Sequence, residues 1–128
     1  MKILLIEDDL DDIELLQDAL KSYQVSYEMD IVNDGRSAVD YVKKCIDCPD
    51  LIVLDFNLPK VHGREVILEI KSVAGFKSIP LLILTTSSAK EDIEYAYKNG
   101  ADKYLIKPST LESIKETVDT IVSLSKSN

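Results

Sequence analysis

Leu51-Ile52-Val53-Leu54-Asp55 reads as four apolar residues in succession and then a carboxylate. A run of four with no polar interruption suits a strand covered on both faces, as in the middle of a parallel sheet. Three more segments have the same form: Ile3-Leu4-Leu5-Ile6 before Glu7-Asp8, Leu81-Leu82-Ile83-Leu84 before Thr85, and Tyr104-Leu105-Ile106 before Lys107. If these runs are neighbouring parallel strands, Glu7, Asp8, Asp55, Thr85 and Lys107 emerge together at the carboxyl edge of one sheet, where open α/β folds place their sites. Three carboxylates, a hydroxyl and an ammonium then face one pocket.

Between these runs the pattern switches to helical spacing about every dozen residues, the rhythm of βαβ units. Ile13, Leu16 and Leu20 mark the core stripe of a first helix. Ala38, Val39, Val42 and Ile46 mark that of a second, and Val66, Ile67 and Ile70 that of a third. Ser88-x-x-Glu91 and Ser109-x-x-Glu112 match the capping box and predict helices over 89–99 and 110–124. Asn99-Gly100 supplies a left-handed stop for the first of these two. Tyr27 to Val32 alternates apolar Tyr27, Met29 and Ile31 with charged Glu28 and Asp30, which places it at a sheet edge. Five parallel strands and five helices follow. Right-handed crossovers give the strand order 2-1-3-4-5, with Glu7, Asp8 and Asp55 flanking the switch point between the first and third strands.

The chain has 128 residues, 45% of them hydrophobic, and a formal net charge of -8. That length suits one domain over 1–128 with an ordinary core. The negative balance argues against nucleic acid or an anionic membrane as partner and favours small cations and basic protein surfaces. The opening apolar run is cut short by Glu7-Asp8-Asp9, and no stretch approaches the ~20 apolar residues of a membrane span. These features predict a soluble cytoplasmic protein. Cys45 and Cys48 form a C-x-x-C at the end of the second helix, with no second cysteine pair and with His62 as the one histidine. Ordinary reduced thiols are the reading, because redox use wants the first thiol at a helix start.

Three carboxylates within ~5 Å of one another repel by roughly 3 kcal/mol per pair at an effective dielectric of about 20, more than one lysine offsets. A divalent cation offsets it. Hard oxygen ligands suit Mg2+, which takes one or two protein carboxylates and leaves room for a phosphate donor. Asp55 is then the candidate nucleophile, Lys107 a neutralising charge on a transferring phosphoryl group, and Thr85 a donor to its oxygens. Asp9, with Asp12 three residues on, reads as a helix N-cap. His62 reads as a surface or helix-start residue. Thr86 and Ser87 either touch ligand or extend the loop.

Ile6-Glu7-Asp8-Asp9, Leu54-Asp55-Phe56-Asn57-Leu58-Pro59, Leu84-Thr85-Thr86 and Gly100-Ala101-Asp102-Lys103-Tyr104-Leu105-Ile106-Lys107-Pro108 together resemble the receiver domain of two-component response regulators. The four motifs occur in order, each at its expected element end, over essentially the whole chain. The resemblance implies a flavodoxin-like, doubly wound fold and a phosphorelay role, in which Asp55 accepts phosphate from a histidine kinase or phosphotransfer protein. It also implies that Asp8 ligates Mg2+ (or Mn2+ as substitute) directly, that Glu7 acts through water, and that the Asn57 main-chain carbonyl completes the protein ligands. Thr85 and Tyr104 resemble the switch pair, Lys107 resembles the phosphate-binding lysine, and the bond between Lys107 and Pro108 is implied to be cis. The start Glu7-Asp8-Asp9-Leu10-Asp11-Asp12 and the long Ser72 to Ser78 connection look most like stand-alone regulators without an output domain, including those partnered with bacterial phytochrome kinases.

The expected output is therefore a protein contact or phosphate relay. Its expected surface is the face of the fourth helix, fifth strand and fifth helix, carrying Tyr95, Lys98, Lys103 and Tyr104, which is also the candidate homodimer face. Such a protein is a phosphoacceptor that catalyses its own phosphorylation and dephosphorylation, not a turnover enzyme. The competing readings are a small Mg2+-dependent phosphohydrolase working through an aspartyl-phosphate and a phosphorylation-independent docking module. The first wants Asp-x-Asp, and here Asn57 holds the second position. Flavin binding is the fold-level alternative, but the first loop is acidic where a phosphate wants Gly, Ser or Thr.

Overall fold

A computed structural model describes residues 1–126; Ser127 and Asn128, the end of the expected 1–128 domain, lie outside the described residues. Five strands, β1 (Lys2–Ile6), β2 (Glu28–Val32), β3 (Leu51–Leu54), β4 (Leu81–Thr85) and β5 (Lys103–Ile106), alternate with five α-helices. The helices are α1 (Leu10–Ser22), α2 (Gly35–Lys44), α3 (Gly63–Ser72), α4 (Lys90–Lys98) and α5 (Leu111–Ser125), with a short 3-10 turn at Ala74–Phe76. The sheet order is β2-β1-β3-β4-β5, and every pairing is parallel.

Strand alternation divides the core into two layers. Leu4, Ile6, Ile52, Leu54, Leu81 and Ile83 face α2, α3 and α4, where they meet Val42, Val66, Ile67 and Ile70. Ile3, Leu5, Leu51, Val53, Leu82 and Leu84 face α1 and α5, where they meet Ile13, Leu16, Leu20, Val118 and Ile121. Burial on both faces is why Ile3–Ile6, Leu51–Leu54 and Leu81–Leu84 carry no polar residue. β2 lies at the edge as expected, although its pairing begins at Glu28 and Ile31 is exposed.

Three local expectations are corrected. α2 ends at Lys44, because Cys45 adopts ψ 129 and breaks the helix. Ile46 therefore falls beyond the stripe and is 99% exposed. The capping box of α5 is Thr110 with Ser113, not Ser109 with Glu112: the Thr110 hydroxyl accepts from Ser113 N at 3.0 Å, and Ser113 Oγ accepts from Thr110 N at 2.9 Å. A serine reaches back as well as a glutamate does. α4 begins from Ala89 with no side-chain cap, so Ser88 and Glu91 do not form a box there. Ser87 does the local work, accepting from Ala89 N at 3.3 Å and donating to Asp92 at 2.5 Å. The stop after α4 is as expected, since Gly100 has φ 109, which glycine adopts without steric cost.

One glycine positions the site. A Cβ on Gly63, at the start of α3, would stand 2.4 Å from Phe56 Cα and 2.8 Å from the Asp55 carbonyl oxygen. Only glycine allows α3 to press this closely on the backbone that carries Asp55. His62 caps the same helix, its Nδ1 accepting from Arg64 N at 3.0 Å, the helix-start role expected of it.

Candidate functional site

The strand register brings the candidate residues together. Ile6 pairs with Leu54, Leu54 with Ile83 and Thr85 with Ile106, so the residues that follow each strand share one edge. Asp55 is 4% exposed, and its Oδ1 accepts from the Asn57 amide at 3.1 Å. Glu7 is equally buried, and its Oε2 accepts from the amides of Asp8 and Asp9 at 3.1 and 3.2 Å. Asp8 is exposed at the mouth.

Lys107 ties the cluster together. Its Nζ lies 2.7 Å from Glu7 Oε1, 3.0 Å from Asp55 Oδ2 and 2.6 Å from Asp12 Oδ2. The third partner is missed by sequence reasoning, which took Asp12 for part of the cap. Asp9 alone caps α1, its Oδ1 accepting from Asp11 N and Asp12 N at 2.9 and 3.3 Å. The available signal was position: α1 begins directly above the strand ends, so an acid in its first turn can reach the lysine. Burial would lower the Lys107 pKa, but the hydrogen bonds to Asp12, Glu7 and Asp55 outweigh it and hold the ammonium above its ordinary range. Burial pushes the Glu7 carboxyl up to about 7; the Lys107 contact opposes that rise and the Asp55 charge adds to it.

Four carboxylates around one ammonium leave an anionic excess. Ligand oxygens of Glu7, Asp8 and Asp55 lie within 4.8 Å of one another. All are hard donors, and one comes from an exposed side chain at the mouth, so the donor set fits a small divalent cation that keeps several waters. Thr85 Oγ1 is buried without a hydrogen-bond partner among the described residues. An unpaired buried hydroxyl costs free energy, so this atom is set to receive an acceptor. Asn57 is exposed, its side-chain amide reaching Thr86 Oγ1 at 3.3 Å.

Two expectations about this edge are corrected. The Lys107–Pro108 peptide is trans, since no peptide bond among the described residues is cis; the trans form is the one a Xaa-Pro bond ordinarily prefers. Tyr104 does not lie on the exposed face with Lys98 and Lys103. It is 8% exposed, packs edge-to-face on Phe56 with ring centroids 6.1 Å apart, and donates its hydroxyl to the Ser87 carbonyl at 2.8 Å. Its phenol has an acceptor in the loop after β4, so the ring buries its apolar body and still satisfies its polar tip. Tyr95 is half-buried, its hydroxyl donating to the Arg64 carbonyl at 3.0 Å. Cys45 and Cys48 are free thiols at the opposite end of the sheet, as expected.

Known proteins share this fold. The chain is similar to response regulator Rcp1 of Synechocystis, with 37% identity over 126 residues, 94% of this chain and 86% of the relative. A crystal structure of the Mn2+-bound form of Rcp1 superposes with a TM-score of 0.83 over 95% of this chain and 91% of that one, at 37% identity. The phosphorylated cyanobacterial phytochrome response regulator RcpA superposes with a TM-score of 0.87 over 98% and 94%, at 39% identity. Residues 3–119 match the family model of the response regulator receiver domain. With the acid cluster, the strand-end lysine and the 2-1-3-4-5 sheet in place, this chain belongs to the response regulator receiver domain family.

Proposed function

We propose that this receiver takes a phosphoryl group onto the Asp55 carboxylate from a phosphohistidine of a kinase or phosphotransfer protein, and signals through changed protein contacts. The observation that carries the reading is the placement of Asp55. It is buried at the end of the central strand, with one oxygen held by a backbone amide and the other by Lys107. A carboxylate fixed in this way is a directed nucleophile. Its oxygen forms the new bond to phosphorus as the bond from phosphorus to the imidazole nitrogen breaks. Lys107 already contacts Asp55 and can follow the charge onto the phosphoryl oxygens. The unpartnered Thr85 hydroxyl gains an acceptor when those oxygens arrive.

The residues that would hold a divalent cation are Asp8, Asp55, Glu7 and the main-chain carbonyl of Asn57. Mg2+ there, or Mn2+ as a substitute, supplies neutralisation of the transferring phosphoryl oxygens. The Mn2+-bound form of Rcp1 and the phosphorylated RcpA support both halves of this reading. The RcpA likeness also favours a kinase of the phytochrome type as donor. The partner side is a basic or histidine-bearing protein surface rather than nucleic acid, given the formal charge of -8. No helix among the described residues is long and apolar enough to cross a membrane.

On this reading the receiver takes one phosphoryl group at a time and is not a turnover hydrolase. Asn57 lies where a phosphohydrolase needs a second carboxylate as acid and base, and its side chain is turned to Thr86. Incubation with acetyl phosphate, with and without Mg2+, followed by intact mass, tests the reading. One added phosphoryl group per chain, dependent on Mg2+, is expected. Rapid release of phosphate from many donors with no adduct would favour the hydrolase, and no reaction at all would favour a docking module.

A further inference from the structure

Beside the acid cluster lies a second polar network that the phosphoryl chemistry does not use. Arg64, in the first turn of α3, donates from both Nε and Nη2 to Asp92 Oδ1, at 3.0 and 2.6 Å. Asp92 belongs to the first turn of α4, and its other oxygen accepts from the Ser87 hydroxyl at 2.5 Å. The Ser87 carbonyl then accepts from Tyr104 at 2.8 Å. The guanidinium also lies over the Tyr95 ring, 5.0 Å from its centroid. One run of contacts therefore joins α3, α4, the loop after β4 and the ring of Tyr104.

Each link has a physical consequence. α4 has no side-chain cap of its own at Ala89, and Ser87, whose hydroxyl accepts from Ala89 N and donates to Asp92, holds the loop next to it. Asp92 is itself fixed by a forked guanidinium on one of its oxygens. The pair is partly buried, with side-chain exposures of 40% for Arg64 and 18% for Asp92. A charge-assisted, partly shielded contact of this kind is stronger than an ordinary surface pair. Tyr104 finds its acceptor only where this loop places the Ser87 carbonyl. If the loop shifts, the phenol loses its partner in a poorly hydrated position, and turning the ring out to water becomes the cheaper arrangement.

We propose that Arg64 and Asp92 are positioning residues for the switch: the pair clamps Ser87, and Ser87 holds Tyr104 inward. The strength of the clamp then sets the balance between inward and outward Tyr104. The link to signalling rests on the phosphoacceptor reading above; the placement of Tyr104 does not.

The test reads Tyr104 directly. Protein labelled with 13C at the tyrosine Cζ is examined by NMR without cation or phosphate, and the Tyr104 line is assigned with Tyr104→Phe. Asp92→Asn and Arg64→Gln are each expected to lower the inward-to-outward ratio roughly tenfold, the size of a typical coupling between sites. The double variant should do no more than either single one, because both break one clamp. Arg64→Lys keeps the charge but loses the fork, and should give an intermediate ratio. Ser87→Ala leaves the ion pair intact and should mimic Asp92→Asn, so it also serves if a charge variant folds poorly. Beryllofluoride with Mg2+ should return Tyr104 inward in every variant. An unchanged Tyr104 line in Asp92→Asn, or in Ser87→Ala, would overturn the proposal, as would additive effects in the double variant. Acetyl phosphate uptake, measured by mass on wild type, separates the two readings: its failure would remove the phosphoacceptor role and leave the Tyr104 result standing.

Discussion

Replacing Asp55 by Asn removes the proposed nucleophile and, in metal-free protein, is expected not to lower stability. Asp55 Oδ2 lies 3.0 Å from Lys107 Nζ, an attraction of ~5–6 kcal/mol at an effective dielectric of about 20. Against it, at a pH well above the value of about 7 to which Glu7 is raised, stand Glu7 and Asp8, each with an oxygen no more than 4.8 Å from Asp55, so each repels by at least ~3.5 kcal/mol on the same scale. The two repulsions exceed the one attraction by ~1–2 kcal/mol. Lys107 is not orphaned, because Glu7 and Asp12 keep it at 2.7 and 2.6 Å. A gain of that size corresponds to a melting temperature higher by roughly 3–8 °C for a domain of this length. The assay is thermal unfolding followed by circular dichroism, first in a chelator and then in Mg2+. Cation at about a hundred times its Kd should stabilise wild type by ~2.7 kcal/mol. The variant has lost one of the carboxylates proposed to hold the cation and should gain less, so the difference narrows or inverts. A variant that melts below wild type in chelator and gains as much from Mg2+ would refute the picture of a repelling cluster relieved by a cation.

Mg2+ affinity should fall further in Asp8→Ala than in Glu7→Ala, because Asp8 is exposed at the mouth while Glu7 is already engaged by two backbone amides and Lys107; calorimetric titration of the two variants decides it, and equal losses would misplace the ion. Asp12→Asn removes one of the three carboxylates on Lys107 and one negative charge near an anionic donor, so phosphorylation by acetyl phosphate should speed up several-fold. A slower reaction, timed by intact mass, would mean that Asp12 holds Lys107 in its working position. Gly63→Ala puts a methyl group 2.4 Å from Phe56 Cα, and should cost ~1–3 kcal/mol in denaturant unfolding as α3 is forced off the Asp55 backbone. A neutral result would show that α3 does not fix the site.

The strand runs and their last residues were legible because a strand buried on both faces leaves no other pattern open to Leu51–Leu54, and the residue after it is necessarily the first that can be polar. The order of the sheet followed from the mixed pattern of 27–32 and the handedness of crossovers. Helix ends were less legible. Ser88 and Ser109 carry the cap motif, but Ser87 and Thr110 hold the loops, since a shift of one residue keeps a hydroxyl available and tertiary partners choose between them. Ile46 fits the helical spacing of α2, yet the chain turns at Cys45 before reaching it. Asp12 and the clamp of Arg64 with Asp92 were hidden for another reason. Their partners are 95 and 28 residues away, and nothing in local spacing announces a contact made across the edge of a sheet.

The central claim is that Asp55 itself becomes the phosphoacceptor, and borohydride trapping tests it most directly. Protein incubated with acetyl phosphate and Mg2+ is reduced with borohydride, which converts an aspartyl phosphate to homoserine, and the modified residue is located by peptide sequencing. Homoserine at position 55 in wild type, absent without Mg2+ and absent from Asp55→Asn, is the expected result. Label at Asp8, at Asp12 or at any other residue, with position 55 unmodified, would contradict it.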